Sequence, residues 1–390
     1  MIRVAAILIT LVLPSLGAPE TKSKKKETTK APPATEAQIR DAIKRGVDFL
    51  LERQNPSGSW GSARNTKGLN IFAPIPGSHR AFRCAVTAMS IEALIKTSDW
   101  ETNAETKKAL VLAENYLLEY LPQLRRATPV ALYNVWAHGY GVQALVAMHE
   151  RPGVSKKRKA RIREVIDTQF DMLARFESVD GGWGYYDFRY GTKQPSSSSI
   201  SFVSGAILCA FHDAKLAGID PPERLVTRAI ASINRQRNPN NSYFYGEYLK
   251  NTPVRDINRA SGSLGRSQCC NIALRYWGDE SIDDDILIEW LDRLEARNFW
   301  LDIGRKRPIP HESWAAIAGY FFYFGHYYAG RCVAELPPDK ATEYGARLAA
   351  LILDDQEKDG SWWDFPFYDY HQQYGTAYAL LTLVNCLPAE

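Results

Sequence analysis

The segment Arg53-Gln54-Asn55-Pro56-Ser57-Gly58-Ser59-Trp60 is echoed by Gln236-Arg237-Asn238-Pro239-Asn240-Asn241-Ser242-Tyr243. Related turns stand at Asp180-Gly181-Gly182-Trp183-Gly184 and Asp359-Gly360-Ser361-Trp362-Trp363. The aromatic residues at 60, 183, 243, 300 and 362 are separated by 123, 60, 57 and 62 residues. The first gap spans two periods, and a degenerate member near Tyr120 fills it. A fixed period marks a repeat architecture, in which each unit buries its apolar face only against its neighbours.

Working outward from these turns, each unit reads as two helices. The first carries mixed charged and apolar residues, at 36–53, 105–121, 158–176, 222–236, 283–297 and 341–356. Ile39, Ile43, Val47, Leu50 and Leu51 recur at helical spacing, so one face is wet and one buried. The Gly-rich or Asn-Pro turn ends it, because glycine and asparagine accept the left-handed conformation that terminates a helix. The second helix, at 81–96, 135–149, 200–217, 261–277, 312–334 and 373–386, is apolar nearly all round and rich in small residues. A helix without a polar face must be surrounded by protein. The fold class expected is therefore all-α: an (α/α)6 toroid of six helical hairpins over residues 36–390, with an inner and an outer helix ring.

The Gln…Gly-Ser-Trp turns resemble the repeats of squalene and oxidosqualene cyclases and of protein prenyltransferase β subunits. The last unit is the most similar, with Asp359-Gly360-Ser361-Trp362-Trp363 followed by Tyr374-Gly375-Thr376 and Ala379-Leu380. The resemblance implies the toroid these families share, with a central cavity at one mouth of the inner ring. It does not bring their chemistry. The Asp-x-Asp-Asp cluster that protonates a triterpene precursor has no counterpart in this sequence. Asp283-Asp284-Asp285 opens an outer helix, where carboxylates stabilise the N-terminus. The histidine of a prenyltransferase zinc site falls on Gly375, with His371 one turn earlier, so no metal site and no cofactor are expected.

Met1-Ile2-Arg3, the apolar run Val4–Leu13 and the small residues up to Ala18 read as a secretory signal peptide over 1–18. Residues 19–35, with Lys24-Lys25-Lys26 and Pro32-Pro33, read as a disordered basic linker. A secreted or periplasmic protein follows, with no transmembrane segment after cleavage. The formal charge of +4 is too small to argue for nucleic acid. Of the six cysteines, Cys84, Cys209, Cys269, Cys270, Cys332 and Cys386, export permits pairing. Buried free thiols and one or two bridges both fit, with Cys332–Cys386 the pair to test.

If the inner helices run parallel, their N-termini gather at one end and attract anions. The residues entering those helices are polar: His79, Arg80 and Arg83; Asn134 and His138; Ser197, Ser198 and Ser199; Arg259, Ser261, Arg266 and Gln268; His311 and Glu312; His371, Gln372 and Tyr374. From this set His138, Tyr140, Arg266, His311, Glu312, His371 and Tyr374 are candidate catalytic residues. Arg83, Trp136, Gln268, Trp314, Trp363 and Gln372 are candidate binding residues. Three functions remain open for a small-molecule, glycan or lipid ligand in the central cavity. One is binding alone, in a polar, anion-attracting cavity. Another is a carbohydrate-active lyase or hydrolase, with Arg266 on a uronate and His138, Tyr140 or His371 as base. The third is a terpenoid- or lipid-processing enzyme that surrounds a cation with Trp136, Trp314, Tyr320, Phe321 and Trp363.

Overall fold

The computed structural model describes residues 32–388, apart from 69, 71–75, 99, 189–193, 197–198 and 313–315. The expected signal peptide, the linker up to residue 31, and Ser197, Ser198 and Trp314 lie outside the described residues.

The repeated turn works as a brace. In the last hairpin the Gly360 amide donates to the Glu357 carbonyl and the Glu357 amide to the Ser361 carbonyl. Gly360 has φ +84°, and a Cβ there would stand 2.3 Å from the Arg45 carbonyl oxygen of the next outer helix, so only glycine fits. The Gln356 amide donates to the Gly360 and Ala42 carbonyls, tying the turn to that same helix. The Trp362 indole donates to the Ile352 carbonyl, and its backbone amide donates to the Thr376 hydroxyl on the following inner helix. Gln54 and Trp60 make the corresponding bonds to Gly58, Ala109, Leu50 and Thr87. Trp183 repeats them with Leu173 and Ser204. In the fourth hairpin Asn241, at φ +56°, takes the glycine's place. There the Tyr243 amide donates to the Ser263 hydroxyl. The motif thus joins an outer helix, the next outer helix and an inner helix at one buried ring.

The outer helices are α1 (Glu36–Glu52), α3 (Ala104–Tyr120), α5 (Lys156–Phe176), α7 (Glu223–Arg235), α9 (Asp284–Gly304) and α11 (Pro338–Leu353). The inner helices are α2 (His79–Thr97), α4 (Asn134–Glu150), α6 (Ser201–Leu216), α8 (Leu264–Tyr276), α10 (Phe321–Ala334) and α12 (His371–Asn385). Each inner helix packs on the next and α12 packs back on α2, so the inner ring closes, and α1 meets α11 across the same seam in the outer layer. Burial follows the ring: twelve of the sixteen residues of α6 are buried, against five of the thirteen of α7. Small residues let the inner helices approach. A Cβ on Gly325 of α10 would stand 2.7 Å from the Gly265 Cα of α8. The fold is an all-α toroid of six hairpins, and among the described residues no β-strand forms beyond isolated bridges such as Ile200 to Gly246.

Two units depart from the expected pattern. Tyr120 ends α3 and Trp300 lies within α9, so neither sits in a glycine turn. The α9 helix runs on to Gly304 through a non-helical Arg297. The fifth inner helix begins at Phe321 and not at 312, because Pro308 and Pro310 disfavour helix before them and His311 and Ala316 take positive φ. His311 and Glu312 therefore sit on a loop.

All six cysteines are free and buried. The expected Cys332–Cys386 bridge does not form, since the Cys332 thiol faces the Gln268 carbonyl on α8 while Cys386 packs beside Gly345 of α11. Asp283 caps α9 by accepting from the Ile286 amide. No helix of the described residues is long and apolar enough to cross a membrane.

Candidate functional site: an aromatic cavity at the inner ring

The N-terminal ends of the inner helices and the loops that enter them enclose a cavity of about 430 Å³. Its position is the one anticipated from the parallel inner helices, but its character is the opposite of the polar, anion-attracting mouth expected. Phe82 and Met89 come from α2, Trp136 and Tyr140 from α4, Phe202 from α6, Phe321 and Phe324 from α10, and Tyr374 and Tyr378 from α12. Loop rings close over them: Tyr185 and Tyr186, Tyr245 and Tyr248, Phe365 and Phe367.

At α6 and α10, helix-end amides that were expected to attract an anion are already bonded to protein. The Ser201 amide donates to the Tyr245 carbonyl. The Tyr323 amide donates to Asp364 Oδ2 at 3.0 Å. An amide that has a partner no longer offers a proton to a ligand.

Trp136 is the centre of the aromatic array. Its ring stacks 5.8 Å from Tyr140 at an interplanar angle of 9° and lies 6.0 Å from Phe202 and 6.4 Å from Phe324. Tyr140 and Tyr378 share a short hydroxyl–hydroxyl bond across the cavity floor, as do Tyr133 and Tyr186 on the wall. Burial pushes the Tyr133, Tyr140 and Tyr378 phenols above their ordinary range, so each is a neutral hydroxyl.

Of the sequence candidates, Trp136, Tyr140, His311 and Tyr374 line this cavity, as do Tyr320 and Phe321 of the aromatic set. Trp314 lies outside the described residues, and the remaining candidates are not in the lining. Arg266 is buried outside the cavity lining, with its guanidinium donating to the Tyr243, Gly262 and Ile257 carbonyls, so it does not face a ligand in the cavity. His138 is buried between α4 and α5, with Nδ1 on Gln169 at 2.7 Å and Nε2 on Asn134. Burial lowers its pKa to about 4, and it is a structural cross-link. The Gln268 amide donates outward to the Trp290 carbonyl. Arg83 reaches Tyr116 and Tyr370, Glu312 is exposed, and Gln372 bonds Asp359 and Ser361 in the last turn. His371 donates to the Tyr368 carbonyl beside Trp363, whose ring carries Lys67 and Lys306 on it at 4.3 and 4.8 Å. That pair lies outside the cavity lining.

One residue beside the cavity escaped sequence reasoning. Asp364 is wholly buried and accepts from the Tyr374 hydroxyl and the Tyr323 amide. Burial raises its carboxyl to about 6, against the opposing effect of those two hydrogen bonds. Its place directly after Trp362-Trp363 in the repeat turn was the available signal. Among the described residues no group of His, Cys, Asp and Glu side chains is arranged to hold a metal ion.

No family model matches the chain, and no curated protein matches it in sequence. Solved structures do share its fold. A variant of the type II terpene cyclase MstE from Scytonema, in complex with the substrate geranylgeranyl dihydroxybenzoate, is 16% identical with a TM-score of 0.51. The match covers 90% of this chain and 97% of that one. An inactive variant of an α-1,6-mannanase from Salegentibacter sp., in complex with α-1,6-mannotriose, is 10% identical with a TM-score of 0.54. That match covers 89% of this chain and 98% of the mannanase. The chain is thus an α/α toroid protein, and at these identities the likeness is one of fold.

Proposed function

We propose that the protein binds a predominantly hydrocarbon small molecule of the terpenoid or lipid class in its central cavity. The observation that carries this reading is the lining. Aromatic and aliphatic side chains form all of it but Arg255 and His311, and no carboxylate is among them. A cavity of this size falls in the range of small-molecule sites. A glycoside hydrolase needs two carboxyl groups flanking its bond, and a lyase on uronates needs a free cation. No carboxyl pair lines the cavity, and its one lining guanidinium, Arg255, stands at the exposed rim away from the aromatic interior, so the glycan readings lose support. The binding-only reading survives, with an apolar ligand in place of an anion. The fold likeness to a terpene cyclase agrees with the reading but does not carry it.

The test is calorimetric or fluorimetric titration with farnesol, a linear terpenoid alcohol, and with mannotriose as the glycan control. Binding of farnesol that weakens at least tenfold in Trp136→Ala is expected. Binding of the glycan alone would overturn the proposal.

A second reading, acid-initiated chemistry on the bound molecule, is favoured by Asp364. Its raised pKa keeps a share of the carboxyl protonated near neutral pH, and Tyr374 separates it from the cavity by one hydrogen bond. Turnover of an isoprenoid that disappears in Asp364→Asn while binding persists would support it; binding without turnover leaves the first reading alone. The signal-like segment Met1–Ala18 supports export, tested by the N-terminal sequence of the mature protein.

A further inference from the structure

We propose that the polar end of the ligand docks on a chain of three tyrosine hydroxyls, Tyr185, Tyr245 and Tyr320, anchored on His311, and that this end is a neutral hydrogen-bond donor, an alcohol. The inference rests on the apolar-ligand reading above and adds the chemistry of the ligand's head group.

The direction of the chain follows from its anchor. A backbone carbonyl only accepts, so the 2.8 Å contact between His311 Nδ1 and the Ala316 oxygen puts the ring proton on Nδ1. Burial lowers the proton affinity of the ring, aided by the nearby positive Arg266, and Nε2 keeps its lone pair. The Tyr320 hydroxyl, 3.1 Å from Nε2, therefore donates to it. A phenol has one proton to give. With that of Tyr320 committed, the Tyr245 hydroxyl at 3.3 Å donates to the Tyr320 oxygen. The Tyr185 hydroxyl, bonded to Tyr245, donates in its turn. Three protons are consumed in sequence, and the wall offers the cavity lone pairs only.

Tyr185, Tyr245, Tyr320 and His311 all belong to the cavity lining, so the chain is reachable by a ligand. Nothing behind it reverses the polarity. Arg266, 5.7 Å over the Tyr245 ring, lies outside the lining and turns three of its donors to the Tyr243, Gly262 and Ile257 carbonyls. An alcohol supplies the proton these oxygens lack. An ether supplies none, and a carboxylate brings further lone pairs against them. Arg255, at the exposed rim of the cavity, is where a carboxylate would go instead.

The experiment compares farnesol, farnesyl methyl ether and farnesoate by titration calorimetry, on the wild type, Tyr320→Phe and Tyr185→Phe. The wild type is expected to bind the alcohol about tenfold more tightly than either of the others, the size of one net hydrogen bond. Tyr320→Phe releases one proton to the Tyr245–Tyr185 pair, so the alcohol's advantage over the ether should fall to about twofold or less. Tyr185→Phe moves the terminal acceptor back to the Tyr245 oxygen and should shrink the alcohol's advantage over the ether severalfold. Equal affinity for all three probes, or tighter farnesoate, would overturn the inference and leave the apolar cavity standing. An alcohol preference unchanged in both variants would also overturn it. Binding of none would remove the reading on which it rests. The wild-type series decides the matter even where a variant folds poorly.

Discussion

The Tyr374 hydroxyl donates to Asp364 Oδ1 at 2.5 Å, from a ring whose other face is the wall of the cavity. The carboxylate receives the Tyr323 amide on its second oxygen, so one buried side chain fixes the start of α10 and the cavity end of α12 together. The bridge belongs to the ring's closure as much as to the site.

Asp364→Ala should therefore cost more than a single hydrogen bond. It strands the Tyr374 hydroxyl and the Tyr323 amide in a dry interior, at about 1–3 kcal/mol for each unsatisfied group. Tyr374→Phe removes one bond and leaves the carboxyl with a single donor, so its loss should be about half as large. Urea unfolding of the two variants measures both; equal stability of Asp364→Ala and wild type would show that the bridge carries no load.

Trp136→Ala separates binding from folding. Trp136 is half-buried, with one side on Tyr140 and the other open to the cavity. Its truncation should cost less stability than the 3–5 kcal/mol typical of a fully packed aromatic. Trp362, by contrast, is wholly enclosed. Trp362→Ala should unfold the last hairpin, seen as a large drop in melting temperature. A smaller drop for Trp362→Ala than for Trp136→Ala would contradict the brace.

The repeat was legible because its brace is local. Gln54, Gly58 and Trp60, or Gln356, Gly360 and Trp362, act within ten residues of one another, and the spacing itself marks the bonds they make. The inner helices were equally readable, since burial on every side leaves no polar stripe in α6. The site was not legible, for a physical reason. Polarity at a helix start signals either a ligand or a capped loop, and the sequence does not say which. Arg266 and His138 look like a cation and a base, but their partners are the Ile257 carbonyl nine residues before one and Gln169 on another helix. The cavity's real walls, Tyr185, Tyr245 and Phe367, lie in loops whose inward turn is set by packing across the ring.

Gly360→Ala and Gly153→Ala form a matched pair. Both glycines have positive φ, +84° and +74°. A Cβ at 360 meets the Arg45 carbonyl, whereas at 153 it meets nothing within 4 Å. Gly153→Ala should cost only the left-handed backbone, roughly 1–2 kcal/mol. Gly360→Ala should cost that and a displaced neighbouring helix, upward of about 3 kcal/mol. Comparable melting temperatures for the two would mean that the turn is free to move.

Acidification should destabilise the protein, with the three most strongly shifted histidines set against the two most strongly shifted aspartates. Burial lowers the pKa of His138, His326 and His371 to about 4 from the ordinary 6.5. Between those values the unfolded chain binds more protons than the folded one, so stability falls as the pH drops through that window. Asp355 and Asp364 act the other way. Burial raises each to about 6 from 3.8, so the folded chain holds their protons more tightly, and the stability they contribute at low pH is lost as pH rises through about 6. His79, His212 and His311 are lowered in the same sense and Glu114 and Asp180 raised in the other, so six histidines oppose four carboxyls and the histidines prevail. Urea midpoints should therefore fall steadily between about pH 6.5 and pH 4. Asp364→Asn removes one opposing group and should make that fall steeper, whereas His138→Gln should make it shallower. A stability that rose on acidification would mean that the histidines are charged within the fold, contrary to the burial that favours the neutral form of His138, His326 and His371 over the opposing pull of their carbonyl and amide acceptors.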